Sequence, residues 1–234
     1  MTDYISPSSI NLFFQCPKRW YYTNLGLEGI VIDDTHLRFG RMIHHIIHQY
    51  FLRVSNKPTE SEIENLVWKI FDECYDDTLS FKKSEAKKVL SNFIKFEKNR
   101  LKTWKNYKPI FVEQRFRLND KLVGIIDFFG DNIIIDWKTG TYTFMTSELM
   151  RQGGIYKYLV ERAGFKVNKV LFVFLKENKV IEMPHVTEGW IKREISNMMD
   201  MIKNNHYPKR PGPHCRYCEY RLRCEFDDEC LWMI

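Results

Sequence analysis

The chain has 234 residues, 44% hydrophobic and 15% aromatic, with a formal charge of +6. That much apolar material can build one large domain or two small ones and excludes a disordered chain. No apolar run approaches the roughly 18 residues of a membrane helix. Met1-Thr2-Asp3-Tyr4 lacks the basic and apolar regions of a secretory leader, so a cytoplasmic setting is expected, where six cysteines point to metal before disulfides.

Ser6-Pro7-Ser8-Ser9 combines a serine cap with an early proline and opens a helix with Ile10, Leu12, Phe13 and Phe14 on its apolar face. Pro17 ends it at Cys16, because the residue before a proline is kept out of helical geometry. Lys18 to Asn24 starts a second short helix, with Trp20, Tyr21 and Tyr22 expected in the core. From Thr35 to Val54, Phe39, Met42, Ile43, Ile46, Ile47 and Tyr50 recur at helical spacing. His44 and His48 lie one turn apart there, without the glutamate beside His44 that a zinc-protease motif requires. Thr59 and Glu62 form a capping box for a helix reaching about Leu79, with Cys74 inside it as an ordinary buried thiol. A third long helix runs from about Ser84 to Lys105. Between Phe81 and Lys108 stand ten basic residues and two acidic ones, a local charge of +8. Such a segment is either a solvated helix face or a surface that tracks phosphates.

Ile110 to Leu118 reads as a strand carrying Glu113. Lys121 to Phe129 and Asn132 to Lys138 read as a β-hairpin turning at Gly130-Asp131-Asn132. Strand alternation puts Asp136 and Lys138 on one face and Trp137 on the other. Asp127 joins the first face only if Phe129 pairs with Ile134 across a four-residue loop, Gly130 to Ile133; a slip of one residue sends it to the wrong side. Two carboxylates and a lysine on an apolar hairpin are costly without partners. Paired carboxylates bind hard divalent cations such as Mg²⁺ or Mn²⁺, and a neighbouring lysine can orient water or stabilise a phosphorane-like transition state. The competing reading is a plain surface ion pair at a strand end. Thr146 or Ser147 caps a helix running to about Arg162, on which Gln152 and Tyr156 project from one side. Val170 to Leu175 reads as a strand buried on both faces, Lys179 to Met183 as a short edge strand, and Thr187 to Asn204 as the last long helix.

After Tyr207-Pro208 the chain loses periodicity and reaches Cys215, Cys218 and Cys224, a C-x2-C-x5-C pattern that signals bound metal. Cys16, Cys230, His214 and His206 are candidates for a fourth ligand. Structural zinc and a [4Fe–4S] cluster both fit four thiolates.

Taken together, Ser8-Ser9-Ile10 through Cys16-Pro17-Lys18-Arg19-Trp20-Tyr21-Tyr22, Gly40-Arg41-Met42-Ile43-His44, Gly124-Ile125-Ile126-Asp127, Asp136-Trp137-Lys138-Thr139-Gly140, Gln152-Gly153-Gly154-Ile155-Tyr156 and the C-terminal cysteines resemble the PD-(D/E)XK nuclease superfamily. The resemblance is to its iron–sulfur branch, which includes AddB and RecB-like nuclease domains and CRISPR-associated RecB-like exonucleases. It implies an α/β fold: a restriction-endonuclease-like core with a mixed central sheet flanked by helices, a helical insertion, and a C-terminal segment stapled by Fe–S. The expected layout is a single nuclease domain, with N-terminal helices over 1–54, the insertion over 55–108, the catalytic core over 109–204 and the cysteine segment over 205–234.

The resemblance further implies that His44, Asp127 and Asp136, with the Trp137 carbonyl, hold a catalytic Mg²⁺ or Mn²⁺. Lys138 would orient the attacking water, and Gln152 and Tyr156 would support the site and contact DNA. Cys16, Cys215, Cys218 and Cys224 would hold a [4Fe–4S] cluster, and Glu113 would be an additional metal group or lie behind one. Asp136 stands where many relatives carry glutamate. The implied partners are single-stranded DNA ends or flaps and, in that branch, a CRISPR integrase complex or a helicase, with no membrane. The settings it suggests are CRISPR adaptation, recombination or viral DNA processing. The rival reading is a DNA-binding or scaffolding module that keeps an Fe–S or zinc centre without catalysis; the intact Asp127, Asp136 and Lys138 argue against it.

Overall fold

A computed structural model describes residues 4–30, 33–119, 121–141 and 143–224; Cys230 lies outside them. The elements are α1 (Pro7–Gln15), α2 (Pro17–Asn24), α3 (Thr35–Arg53), α4 (Glu60–Cys74), α5 (Lys83–Thr103), β1 (Phe111–Leu118), β2 (Leu122–Gly130), β3 (Ile133–Lys138), α6 (Ser147–Arg162), β4 (Lys169–Phe174), β5 (Lys179–Glu182) and α7 (Glu188–Lys203), with 3₁₀ turns at Asp77–Lys82 and Pro213–Tyr217. No helix among the described residues is long and apolar enough to cross a membrane.

Local chemistry sets most of these boundaries. The Ser6 hydroxyl accepts from the Ser9 amide at 3.1 Å, and Thr146 accepts from Leu149 at 3.2 Å. Thr59 and Glu62 close a reciprocal capping box at the start of α4. That helix ends at Cys74, short of the expected Leu79. The Asp76 carboxylate accepts from the Thr78 amide at 3.0 Å, and this bond starts a separate 3₁₀ turn in place of further α-helix. Cys74 is thus a half-buried terminal residue, not an interior one.

The chain gathers into two compact units, one of residues 34–116 and 125–185, the other drawn from residues up to 33, 117–124 and 186 onward. The five strands follow the order β1-β2-β3-β4-β5, with β3 and β4 parallel and β2–β3 and β4–β5 antiparallel. Phe129 pairs with Ile134, the register that places Asp127 on the face of Asp136. Gly130 also pairs with Ile133, so the hairpin closes on Asp131 and Asn132 alone. Their φ values of 48° and 61° are the left-handed pair that a type I′ turn requires.

In the first unit, one sheet face presents Phe128, Ile135 and Trp137 to α3, α4 and α5. Trp137 packs edge-on against Phe93 and Phe96, with ring centroids 5.3 and 5.4 Å away. Segment 55–108 is part of this core: Ile63, Val67, Ile70, Phe71, Val89, Leu90 and Phe93 are all buried. Its basic character is reduced by tertiary pairing. Lys98 and Lys102 meet Glu64 and Glu60 of α4, Lys82 meets Glu85, and Arg100 is buried against Glu97 at 2.7 Å. Lys87, Lys88 and Lys95 remain exposed. The opposite sheet face carries α6, seated through Gly153. A Cβ there would stand 2.6 Å from Met183 Sδ and 3.0 Å from Phe172, so only glycine allows this approach.

In the second unit, Ile5 bridges Leu122 in parallel, and α1 packs on α2 and α7. Trp20 is buried, as expected, and its indole donates to the Ser9 hydroxyl at 2.8 Å. Tyr21 and Tyr22, also expected in the core, are only half-buried; Tyr21 stacks on Tyr207 with centroids 4.4 Å apart.

Candidate metal centre and cysteine pocket

Helix α3 carries His44, β1 carries Glu113, β2 carries Asp127, β3 carries Asp136 and Lys138, and α6 carries Gln152 and Tyr156. His44 Nε2 lies 3.0 Å from the Trp137 carbonyl oxygen. A carbonyl only accepts, so Nε2 carries a proton and the other ring nitrogen faces the acids. His44 Nδ1 is 3.5 Å from Asp127 Oδ2 and 3.7 Å from Glu113 Oε1. A backbone carbonyl holding one ring nitrogen while the other faces ligands is how metal-binding histidines are oriented. One donor atom from each of His44, Glu113 and Asp127 falls within 4.8 Å of the others.

Glu113 reaches this group through an unusual backbone. Its φ of 46° is left-handed inside a strand, a conformation costing about 1 kcal/mol or more for a non-glycine residue. Strand alternation gives no hint of it, so its full membership of the group is not legible in the sequence.

Asp136 is held differently. It is 3% exposed, and its Oδ1 accepts from Gln152 Nε2 at 2.9 Å. Oδ2 lies 2.8 Å from Lys138 Nζ, an ion pair without hydrogen-bond alignment. Lys138 donates to Gln152 Oε1 at 2.8 Å, and the same amide nitrogen that serves Asp136 lies 2.9 Å from the Tyr156 hydroxyl. Gln152 therefore binds Asp136, Lys138 and Tyr156 into one network. Asp127 Oδ2 accepts from the Trp137 amide at 2.9 Å.

The electrostatics show what the pocket lacks. Burial, reinforced by repulsion from Asp136, pushes the Asp127 carboxyl up to about 7. Burial opposes charge on His44, yet the Asp127 and Glu113 carboxylates raise it to about 9. Burial and the two aspartates raise Tyr156 as well. A site that drives protons onto its own aspartate has more negative charge than it can solvate. Carboxylate oxygens and an imidazole nitrogen are a donor set that fits Mg²⁺ or Mn²⁺. A cleft of about 580 Å³, lined by His36, Arg41, His45, His48 and Thr139, opens onto His44 and Glu113.

Cys16, Cys215, Cys218 and Cys224 line one pocket with Arg19, Tyr22 and His214. All four are free thiols, and burial pushes those of Cys218 and Cys224 up. Cys16 caps the N-terminus of α2, which favours a thiolate. Arg19 pairs with Glu219 at 2.7 Å, and the Ile30 amide donates to the Glu219 carbonyl at 2.8 Å. Gly29 allows that approach, since a Cβ would stand 2.7 Å from the Glu219 side chain. Four free thiols facing one pocket fit a thiolate-bound metal centre. Of the other fourth-ligand candidates, His214 lines the pocket, His206 is exposed, and Cys230 lies outside the described residues.

A mixed sheet whose hairpin presents two aspartates and a lysine, faced by a histidine and a glutamate, defines a nuclease with a restriction-endonuclease-like core. The model of the PD-(D/E)XK nuclease superfamily matches residues 4–225, and the chain belongs to that superfamily. None of the curated proteins matches this chain. A solved structure, "Crystal structure of SSO0001", is similar with a TM-score of 0.43 and 14% identity, covering 96% of this chain and 87% of that one.

Proposed function

We propose that the protein is a Mg²⁺- or Mn²⁺-dependent deoxyribonuclease that acts on single-stranded ends or flaps, mainly as an exonuclease. The observation that carries this reading is the convergence of His44, Glu113 and Asp127 beside the Asp136–Lys138–Gln152 network. His44, Glu113 and Asp127 would hold the ion, with Asp136 as the remaining carboxylate. Bound there, a divalent cation supplies Lewis acidity toward a phosphate and lowers the pKa of a water.

The chain's own residues supply the rest. Asp136 and Gln152 fix the Lys138 ammonium at 2.8 Å from each, which keeps it charged and aimed at the site. It is the group placed to orient the attacking water and to meet negative charge on the transition state. Tyr156, with its hydroxyl beside Gln152, buttresses that amide. The cleft along α3 admits a single strand, with Arg41 at its rim for a backbone phosphate. The cysteine pocket is read as the seat of a [4Fe–4S] cluster with a structural role, since it joins residue 16 to the segment after residue 214.

The test is cleavage of end-labelled single-stranded DNA with Mg²⁺ or Mn²⁺, comparing wild type, Lys138→Ala and wild type with EDTA. Metal-dependent degradation that disappears in the variant supports the assignment, and the position of the label gives polarity. Folded, metal-loaded protein that cleaves neither single strands, duplexes nor flaps would leave a binding module as the better reading.

A further inference from the structure

Among the described residues, three buried side-chain atoms lack a hydrogen-bond partner: Asp136 Oδ2, Trp137 Nε1 and His214 Nε2. The first faces Lys138 at 2.8 Å, and the second lies in the aromatic core. The third plays no part in the nuclease chemistry. His214 sits in the Pro213–Tyr217 turn, and its ring lines the pocket formed by the four cysteines.

The ring's orientation is set. It hydrogen-bonds the backbone carbonyl of Arg210, and because Nε2 has no partner, that bond uses Nδ1. The carbonyl can only accept, so Nδ1 carries the proton and Nε2 presents a bare lone pair. The ring also lies against the Gly212 backbone, where a Cβ would come within 3.1 Å of Cε1 and Nδ1. While the cysteines are thiols, an S–H can satisfy that lone pair. Metal-bound thiolates are acceptors only, so filling the pocket removes every sulfur donor. Protonating Nε2 instead would add a cation to a pocket already lined by Lys18, Arg19 and Arg221. The partner that remains is the metal centre. A histidine whose other N–H is fixed by a backbone carbonyl is arranged as a ligand.

We propose that His214 Nε2 ligates the metal centre of the cysteine pocket, alongside three of Cys16, Cys215, Cys218 and Cys224, with the fourth thiol left free. This rests on reading the pocket as an iron–sulfur site. A four-iron cluster takes one terminal protein ligand per iron, so five donors cannot all bind. Imidazole in place of thiolate removes a negative charge from the centre and raises its reduction potential, as histidine does in two-iron centres.

The experiment uses the full chain, purified without oxygen and carrying ¹⁵N-labelled histidine. Iron and sulfide analysis first reports whether a cluster is present. Pulsed EPR of the reduced protein then reads the ligand. The expected result is the strong nitrogen coupling of a directly bound imidazole, shifted by the isotope, lost in His214→Ala and retained in His206→Ala. Alkylation of the loaded native protein should modify one of the four cysteines, and the modified position names the displaced thiol. His214→Cys should hold a cluster of lower potential. A loaded cluster without isotope-sensitive coupling, or with all four cysteines protected, overturns the proposal while leaving the iron–sulfur reading intact. If analysis finds zinc, the iron–sulfur reading fails, and X-ray absorption at the zinc edge still decides the ligand: three sulfurs and one nitrogen uphold it, four sulfurs overturn it. A chain that holds neither metal overturns both.

Discussion

Metal binding at His44, Glu113 and Asp127 should expel protons, and the structure says how many. Without metal, His44 is raised to about 9 and Asp127 to about 7. Binding a cation requires neutral imidazole and ionised carboxylate. At pH 7, His44 is almost fully protonated and Asp127 about half protonated, so binding releases about 1.5 protons per ion. At pH 9, Asp127 is already ionised and His44 half neutral, so the release falls to about 0.5. Affinity must therefore climb as pH rises from 7 to 9, most steeply at the lower end. Isothermal calorimetry of Mn²⁺ binding in two buffers with different ionisation enthalpies measures the proton count directly. A release near zero at pH 7, or an affinity that does not change from pH 7 to 9, would refute both the ligand set and the electrostatics behind it. The metal-free fold shows the linked effect. Both groups have raised values, so each contributes stability at low pH that is lost as pH rises, through about 7 for Asp127 and about 9 for His44. Thermal melts in EDTA should fall across that window, and saturating Mn²⁺ should restore them.

Other expectations follow from the same geometry. Glu113→Gly relieves a left-handed backbone of about 1 kcal/mol, so the metal-free melting temperature should hold or rise while Mn²⁺ affinity drops at least tenfold. A loss of stability with unchanged affinity would mean that the carboxylate only packs. Gly153→Ala forces a methyl group to within 2.6 Å of Met183 Sδ and should cost about 1–3 kcal/mol in denaturant titration. Reversing charge at Lys87, Lys88 and Lys95 should weaken single-strand binding and flatten its salt dependence by about 0.7 for each phosphate no longer neutralised. Binding that keeps its salt slope would make that face of α5 a solvated one.

What the sequence revealed and what it hid divide along a physical line. Caps at Ser6, Thr59 and Thr146 are bonds between a side chain and a backbone three residues away, so the chain states them locally. The hairpin register was also legible, because a two-residue period leaves only one pairing parity that puts Asp127 beside Asp136. The neutralisation of the basic segment was not. Glu60 and Glu64 reach Lys102 and Lys98 only after α4 docks on α5, and no local rule fixes that docking. Arg100 and Glu97 read as surface charges three apart and are in fact sealed in the core together. The end of α4 at Cys74 turned on one hydrogen bond from Asp76, which the apolar periodicity continuing toward Leu79 concealed.

Glu113 and His214 are instructive for the same reason. Neither belongs to a periodic pattern that marks it, and each is placed by backbone geometry that residue type alone does not specify. A left-handed φ in β1 brings the Glu113 carboxylate to 3.7 Å from His44. The Arg210 carbonyl fixes one edge of the His214 ring and leaves the other bare among thiols. His44 repeats that logic: the Trp137 carbonyl takes Nε2, and Nδ1 is left for Glu113 and Asp127. In both places a peptide oxygen has selected which imidazole nitrogen stays free. The free nitrogen then faces donors, carboxylates in one site and thiols in the other, that cannot be buried together at low cost without a cation between them. His44 was found from its motif, and His214 stood only as one of several spare ligands. The orphaned atom is what raises it to the same footing, because a buried lone pair turned toward thiols is satisfied only by a proton or a metal.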